Sequence, residues 1–306
     1  MARRALGLFG LSMLALTACV GAPESGDDES SVDMDIPPSG RGAGTLEGFA
    51  VSNPASLTQA GIQYHGGPVM TNSVHIYYIW YGGQLSGNSA TTILPDFASS
   101  VGGSPWWHIN TTYVNGSSTP VSNTVTLAGQ YTYPGPYNTS LSDSAIKTIV
   151  TNSIGAAPKL PSDSDGIYFV LTSQEVTASS GFCTQYCGWH TYASIGGKNI
   201  KYSFVGNAAR CLSACSAQTT SPNGNPGADA MASIIGHEAA EAASDPQLNA
   251  WYDASGYENA DKCAWTWGTT STAANGSKYN MTLGSRQFLI QRNWLNSGSG
   301  SCAKSF

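Results

Sequence analysis

Hydrophobic and polar positions divide this chain into short apolar runs separated by Gly, Pro, Ser and Asn. Residues 73–81 are β-branched and aromatic and run into Gly82-Gly83, which predicts a strand. Residues 93–101 read as a short helix, and 124–132 alternate as a half-buried strand. Ser142 can cap a helix in which Ile146, Ile149, Val150 and Ile154 recur at helical spacing. Residues 166–172 form a continuous apolar run, the pattern of a strand covered on both faces. Further strands are predicted over 201–205 and 286–294, and there is no internal repeat.

The rigid loop 221–227 leads into an Ala-rich, proline-free stretch, 228–244, that reads as a helix. Pro226 and Asp229 suit its first turn, and Asp245-Pro246 ends it. At about 100° per residue, Met231, Ile234, Ile235 and Ala242 share an apolar arc that also contains Glu238. His237 and Glu241 lie together on its flank. A carboxylate aimed into an apolar stripe is costly unless paired, protonated or near a cation, so Glu238 marks a pocket.

The helix carries His237-Glu238-Ala239-Ala240-Glu241. This is the HExxH metallopeptidase pattern with Glu in place of the second His. Glu258 lies 17 positions beyond Glu241, with Asp261 one helical turn further on. Zincins with a glutamate third ligand take it at about this separation, followed by an Asp that orients a His ligand. The expected set is therefore His237, Glu241 and Glu258 as metal ligands, Glu238 as general base and Asp261 behind His237. One divalent ion is expected, zinc first. Two carboxylates and one imidazole leave the metal less positive than the usual set and also suit manganese or calcium. The competing reading is a solvated His-Glu pair, with Glu258 and Asp261 an ordinary acidic helix start.

These elements predict an α+β fold: a zincin-like lobe with a mixed sheet and a motif-bearing helix flooring a cleft. A loop-rich, disulfide-stapled C-terminal part follows. Its setting comes from the first 60 residues. Arg3-Arg4, an apolar run over 5–16 and Leu16-Thr17-Ala18-Cys19 predict a lipoprotein signal over 1–19, with lipidation at Cys19. Val20 then favours outer-membrane or cell-surface placement. Residues 20–60 are acidic and rich in Gly, Ser and Pro and read as a flexible tether. Residues 61–306 are long enough for one sizeable core or for two lobes around a cleft. The net charge of −6 and the sparse charged residues (10%) argue against a nucleic-acid partner. Membrane contact is expected only through the lipid anchor.

Setting Cys19 aside leaves six cysteines, an even count that in an exported chain implies three disulfides. The expected pairing is two local loops, Cys183–Cys187 and Cys211–Cys215, with Cys263–Cys302 clamping the C-terminal segment. A zinc site from the two CxxxC pairs is the weaker alternative. His75, inside an aromatic strand, reads as a hydrogen-bonded core histidine rather than a ligand. His190, after Cys187-Gly188-Trp189, is a secondary candidate for facing the cleft. Trp106-Trp107, Trp251 and Trp265/Trp267 read mainly as core, with stacking on a sugar or peptide the use of any exposed ring.

Laid end to end, these segments resemble the EXORDIUM, or phosphate-induced, protein family. The matching residues are Tyr64-His65-Gly66-Gly67-Pro68-Val69, Ile79-Trp80-Tyr81-Gly82, Trp106-Trp107, Phe182-Cys183 with Cys187-Gly188, and Val205-Gly206-Asn207. Cys211 and Cys215, Ser221-Pro222-Asn223-Gly224, the His237-Glu238 helix into Asn249-Ala250-Trp251-Tyr252, and Glu258, Asp261 and Cys263 complete the set. The resemblance spans roughly residues 60–302. It implies an extracellular or cell-surface protein and a role in growth or carbon-status responses, and no assigned reaction. The lipoprotein signal and acidic tether depart from it.

Three functions follow as expectations. The first is a cell-surface metallohydrolase acting on peptide bonds. The second is a catalytically silent protein that binds a peptide or a cell-wall glycan. In the third, His237, Glu238 and Glu241 are a structural hydrogen-bonded cluster.

Overall fold

The computed structural model describes residues 61–306; the signal, Cys19 and the tether expected over 1–60 lie outside the described residues. The core is a five-stranded sheet of β1 (Val74–Tyr81), β2 (Val125–Thr132), β3 (Gly166–Thr172), β4 (Gly188–Ile195) and β5 (Lys198–Val205). Their order is β2-β1-β3-β5-β4, with every neighbour parallel except β4 against β5. All seven residues of β3 are buried, as its unbroken apolar run requires of a central parallel strand. In β2, an edge strand, exposed positions alternate with buried Val125 and then with half-buried residues.

Helix α1 (Ala90–Val101) joins β1 to β2, and α2 (Asp143–Ser153) joins β2 to β3. Because β2 and β3 flank β1 on opposite sides, right-handed crossovers place these helices on opposite faces of the sheet. Ser142 caps α2 by accepting the Ala145 N–H. The fold thus mixes α and β around a sheet of mixed direction, followed by a C-terminal part of two-stranded antiparallel ribbons.

The motif helix α3 (Pro226–Ser244) starts two residues before the predicted stretch, where the Asn225 side chain accepts the Ala228 N–H and Pro226 begins the first turn. It packs against α1 and against β4 and β5. Every residue from Gly227 to Ser244 is buried, so the single apolar arc read from the sequence is corrected. A helix enclosed on all sides has no solvent face, and its many alanines let neighbouring elements approach closely.

Two strand boundaries also differ. β4 was not foreseen; it pairs with β5 through a hairpin turning at Gly196-Gly197, both at positive φ, the requirement of a tight two-residue turn. The late strand splits into Arg286–Phe288 and Asn293–Leu295, each pairing with a different partner.

All six cysteines form disulfides, which excludes the zinc alternative for the CxxxC pairs. Cys263–Cys302 is present as expected, whereas the local loops are not: the bonds are Cys183–Cys211 and Cys187–Cys215. The two pairs cross-link the segment entering β4 to the one leaving β5, so they reinforce the hairpin that carries His190. Among the described residues, no helix is long and apolar enough to cross a membrane. Three disulfides fit an extracellular or secreted protein.

Candidate metal centre

The second half of α3 faces β4 on one side and the loop after the helix on the other. Asp245 folds that loop back by accepting the N–H groups of Asn249 and Ala250 at 2.6 and 2.7 Å. Asp253 shapes the next turn, taking the Ser255 and Tyr257 N–H groups on Oδ1 and Lys262 Nζ on Oδ2 at 2.8 Å. Glu258 and Asp261 are thereby delivered to the helix. The Glu258 N–H donates to Asp261 Oδ2 at 3.1 Å, and the Asp261 N–H donates to Glu241 Oε1 at 3.0 Å.

His237, Glu238, Glu241, Glu258 and Asp261 therefore lie in one neighbourhood, together with His190 from β4. The side chains of Glu238 and Glu241 are fully buried, and those of His190, His237, Glu258 and Asp261 are no more than 8% exposed. The open cleft expected over the helix is absent at this point. Two sets can hold a metal ion: His237 with Glu241 and Asp261, and His190 with Glu238 and Glu241.

In the first set, His237 Nε2 is 3.1 Å from Glu241 Oε1 and 3.6 Å from Asp261 Oδ1. Tetrahedral ligands at about 2.1 Å from an ion stand about 3.4 Å apart, so these separations suit one. The tautomer suits it too. Gln291 Oε1 accepts the Trp265 N–H at 3.2 Å, which identifies it as the oxygen, and His237 Nδ1 is 3.2 Å from the same atom. Nδ1 is then the donor, and the Nε2 lone pair faces two carboxylate oxygens. Such an arrangement is repulsive without a proton or cation between the groups.

Asp261 sits at a ligand position in this set, where the sequence had placed it behind His237. Glu258 belongs to neither set; its Oε2 is 3.6 Å from His190 Nε2. The other ring nitrogen of His190, Nδ1, is 3.4 Å from Glu238 Oε2 and 3.6 Å from Glu241 Oε2. His190 is thus a full member of the cluster. Its sequence signal was Gly188: a Cβ there would lie 2.5 Å from Ile234 Cγ2 and 2.9 Å from Glu238 Oε1, so only glycine lets β4 approach the helix.

The electrostatics are those of crowded buried acids. Burial pushes the Glu238 carboxyl up to about 7, against the pull of His190 and His237. Burial also opposes ionised Glu241, but His237 and His190 outweigh it and hold that carboxyl below its usual range. Tyr113 is raised well above its ordinary value by burial and by the negative field of Glu241 and Glu258. Beside the first turns of α3 lies a small recess, partly open to solvent, walled by Ser233, Ile234, Trp265, Trp267, Leu289 and Gln291. Gln291 joins this recess to His237. Of the other histidines, His75 is hydrogen-bonded to Asp163 at 2.6 Å, on a partly exposed part of β1. Trp106 and Trp107 are buried core.

The family model described as "Phosphate-induced protein 1 conserved region" matches residues 62–304. Protein EXORDIUM-like 3 of Arabidopsis thaliana is 31% identical over 84% of this chain and 87% of its own length. Protein EXORDIUM-like 5 of the same plant is 30% identical, covering 76% of this chain and 75% of its own. No solved structure matches the chain significantly.

Proposed function

This chain belongs to the phosphate-induced protein 1 (EXORDIUM-like) family, and we propose that it is an exported, zincin-like metallohydrolase acting on peptide bonds. The observation that carries the reading is His237. With Nδ1 committed to Gln291, its Nε2 faces Glu241 Oε1 and Asp261 Oδ1 at 3.1 and 3.6 Å. His237, Glu241 and Asp261 would hold the ion, zinc first, with manganese or calcium suited to the carboxylate-rich set. An ion held there would supply Lewis acidity for hydrolysis.

The chain's own groups do the rest. Glu238 is held beside the ligands by the helix, and its buried Oε1 has no hydrogen-bond partner. That oxygen accepts the proton of the attacking water as the new C–O bond forms. It then delivers the proton to the departing amine nitrogen as the C–N bond breaks. Gln291 fixes the ring of His237, and the Glu258–Asp261 turn fixes Asp261.

Glu238→Gln tests this reading. It should abolish hydrolysis of a peptide-library substrate while the ion at His237 stays bound. Full activity in that variant, or a wild-type protein without bound metal, removes the proposal.

A second reading rests on the burial of the cluster. With each of these side chains at most 8% exposed, the ion would act as an internal tie, and the recess beside Trp265 and Trp267 would receive a peptide or cell-wall glycan. Binding to cell-wall material that survives both a chelator and Glu238→Gln supports this reading. Binding lost with the metal counts against it. The anchor at Cys19 rests on Leu16-Thr17-Ala18-Cys19 and is tested by lipid labelling of the wild type against Cys19→Ala.

A further inference from the structure

We propose that the centre holds two divalent cations bridged by Glu241; the inference rests on the metal reading above and deepens it. Its basis is a repeated arrangement around the Glu241 carboxylate. On one side, Oε1 lies 3.1 Å from His237 Nε2, with Asp261 Oδ1 3.6 Å from the same nitrogen. On the other, Oε2 lies 3.6 Å from His190 Nδ1, with Glu238 Oε2 3.4 Å from that nitrogen. Each side therefore presents one imidazole nitrogen, one oxygen of the shared carboxylate and one carboxylate of its own.

The outer nitrogens repeat the pattern. His237 Nδ1 meets Gln291 Oε1 at 3.2 Å, and His190 Nε2 meets Glu258 Oε2 at 3.6 Å. A metal-binding histidine characteristically hydrogen-bonds its second nitrogen to a carbonyl or carboxylate; His237 does so, and on the His190 side a carboxylate faces that nitrogen at the longer 3.6 Å. Glu258 places a further carboxylate against the outer nitrogen of His190, at 3.6 Å, a charge contact longer than a hydrogen bond.

Two further observations point to a ligand on the His190 side. Glu241 Oε2 is buried and has no hydrogen-bond partner; at 3.6 Å, His190 Nδ1 is beyond hydrogen-bond reach. Charge also favours two ions. Glu238, Glu241, Glu258 and Asp261 carry four negative charges when ionised. If both imidazoles act as neutral ligands, one divalent ion leaves two of these charges uncompensated in the interior and two ions leave none. A carboxylate that offers its oxygens to different ions also suits the metal separation of about 3.5–4 Å found in two-metal hydrolytic sites. Glu238 would bind the second ion through Oε2 and keep Oε1 for proton transfer.

The test uses the full chain, stripped with a chelator and reloaded separately with Zn²⁺ and with Mn²⁺. Bound metal is measured by mass spectrometry after gel filtration, and the Mn²⁺ form by electron paramagnetic resonance. Two equivalents per chain and the spectrum of an exchange-coupled Mn²⁺ pair are expected. His190→Ala, checked for folding by circular dichroism, should bind one equivalent and give an uncoupled signal. One equivalent in the wild type overturns the two-ion centre and leaves the single-ion reading standing. No bound metal overturns both. Two equivalents retained in folded His190→Ala overturn the assignment of the second site.

Discussion

His237 Nδ1 and Gln291 Oε1 lie 3.2 Å apart, 54 residues distant in sequence, and this contact sets which nitrogen of the ring faces the acids. Gln291 is itself held by a hydrogen bond from its N–H to Ser233 Oγ at 3.1 Å, one turn before His237. The C-terminal part therefore orients the motif helix's histidine. Gln291→Leu removes the acceptor but keeps the approximate volume. Metal affinity, read by competition with a chromogenic chelator, should fall about 10–100-fold, and the metal-free protein should also melt earlier because the His237 Nδ1–H and the Trp265 N–H lose their acceptor.

Gly188 is the point of closest approach between β4 and the helix. A methyl group there would lie 2.5 Å from Ile234 Cγ2, 2.9 Å from Glu238 Oε1 and 3.1 Å from the Phe204 carbonyl. Gly188→Ala should therefore cost about 1–3 kcal/mol through overpacking. It should also displace Glu238. Calorimetric melting reads the first effect and peptide hydrolysis the second; a variant that melts and cleaves like the wild type contradicts the packing described.

The crossed disulfides make a direct chemical prediction. Proteolytic mapping without reduction should recover Cys183 joined to Cys211 and Cys187 joined to Cys215, and no peptide with a Cys183–Cys187 loop. With the other bond intact each closes an extra loop of only about eight residues, so removing one as a Ser pair should destabilise by about 2–3 kcal/mol on the chain-entropy account.

Asp253 and Lys262 form a buried ion pair at 2.8 Å within the loop that delivers Glu258 and Asp261. Burial opposes ionised Asp253, but its contacts with Lys262 and with the Ser255 and Tyr257 N–H groups prevail and lower its carboxyl. A carboxyl lowered in the folded state contributes stability above its unfolded value of about 3.9, and that contribution is lost as pH falls through the folded value. Asp253→Asn should therefore melt earlier than the wild type at pH 7. The gap should narrow as pH drops below about 4. A gap that stays constant with pH contradicts the assignment.

The strands and helices that carry the core were legible because each is long and strongly patterned: β1, β3, α2 and α3 all fall where the periodicity places them. Strand order was not, since parallel pairing of β1 with both β2 and β3 joins residues far apart in sequence. β4 was missed because Gly188-Trp189-His190 follows a cysteine loop and lacks a clean alternation. Equal four-residue spacing in the two cysteine pairs fits local loops and crossed rungs alike, and the β4–β5 hairpin that brings the two segments together was not itself predicted. At the site, the helix and the Glu258–Asp261 segment could be read from spacing. Which acid faces which nitrogen could not, because the backbone N–H contacts of Glu258 and Asp261 fix those orientations.

Metal content tests the central claim most directly. Wild-type protein, reloaded with Zn²⁺ at neutral pH and freed of loose ions by gel filtration, should retain at least one equivalent per chain, and folded His237→Ala should lose an equivalent. A wild-type protein that elutes without metal, or a folded His237→Ala that keeps the full wild-type content, would contradict it.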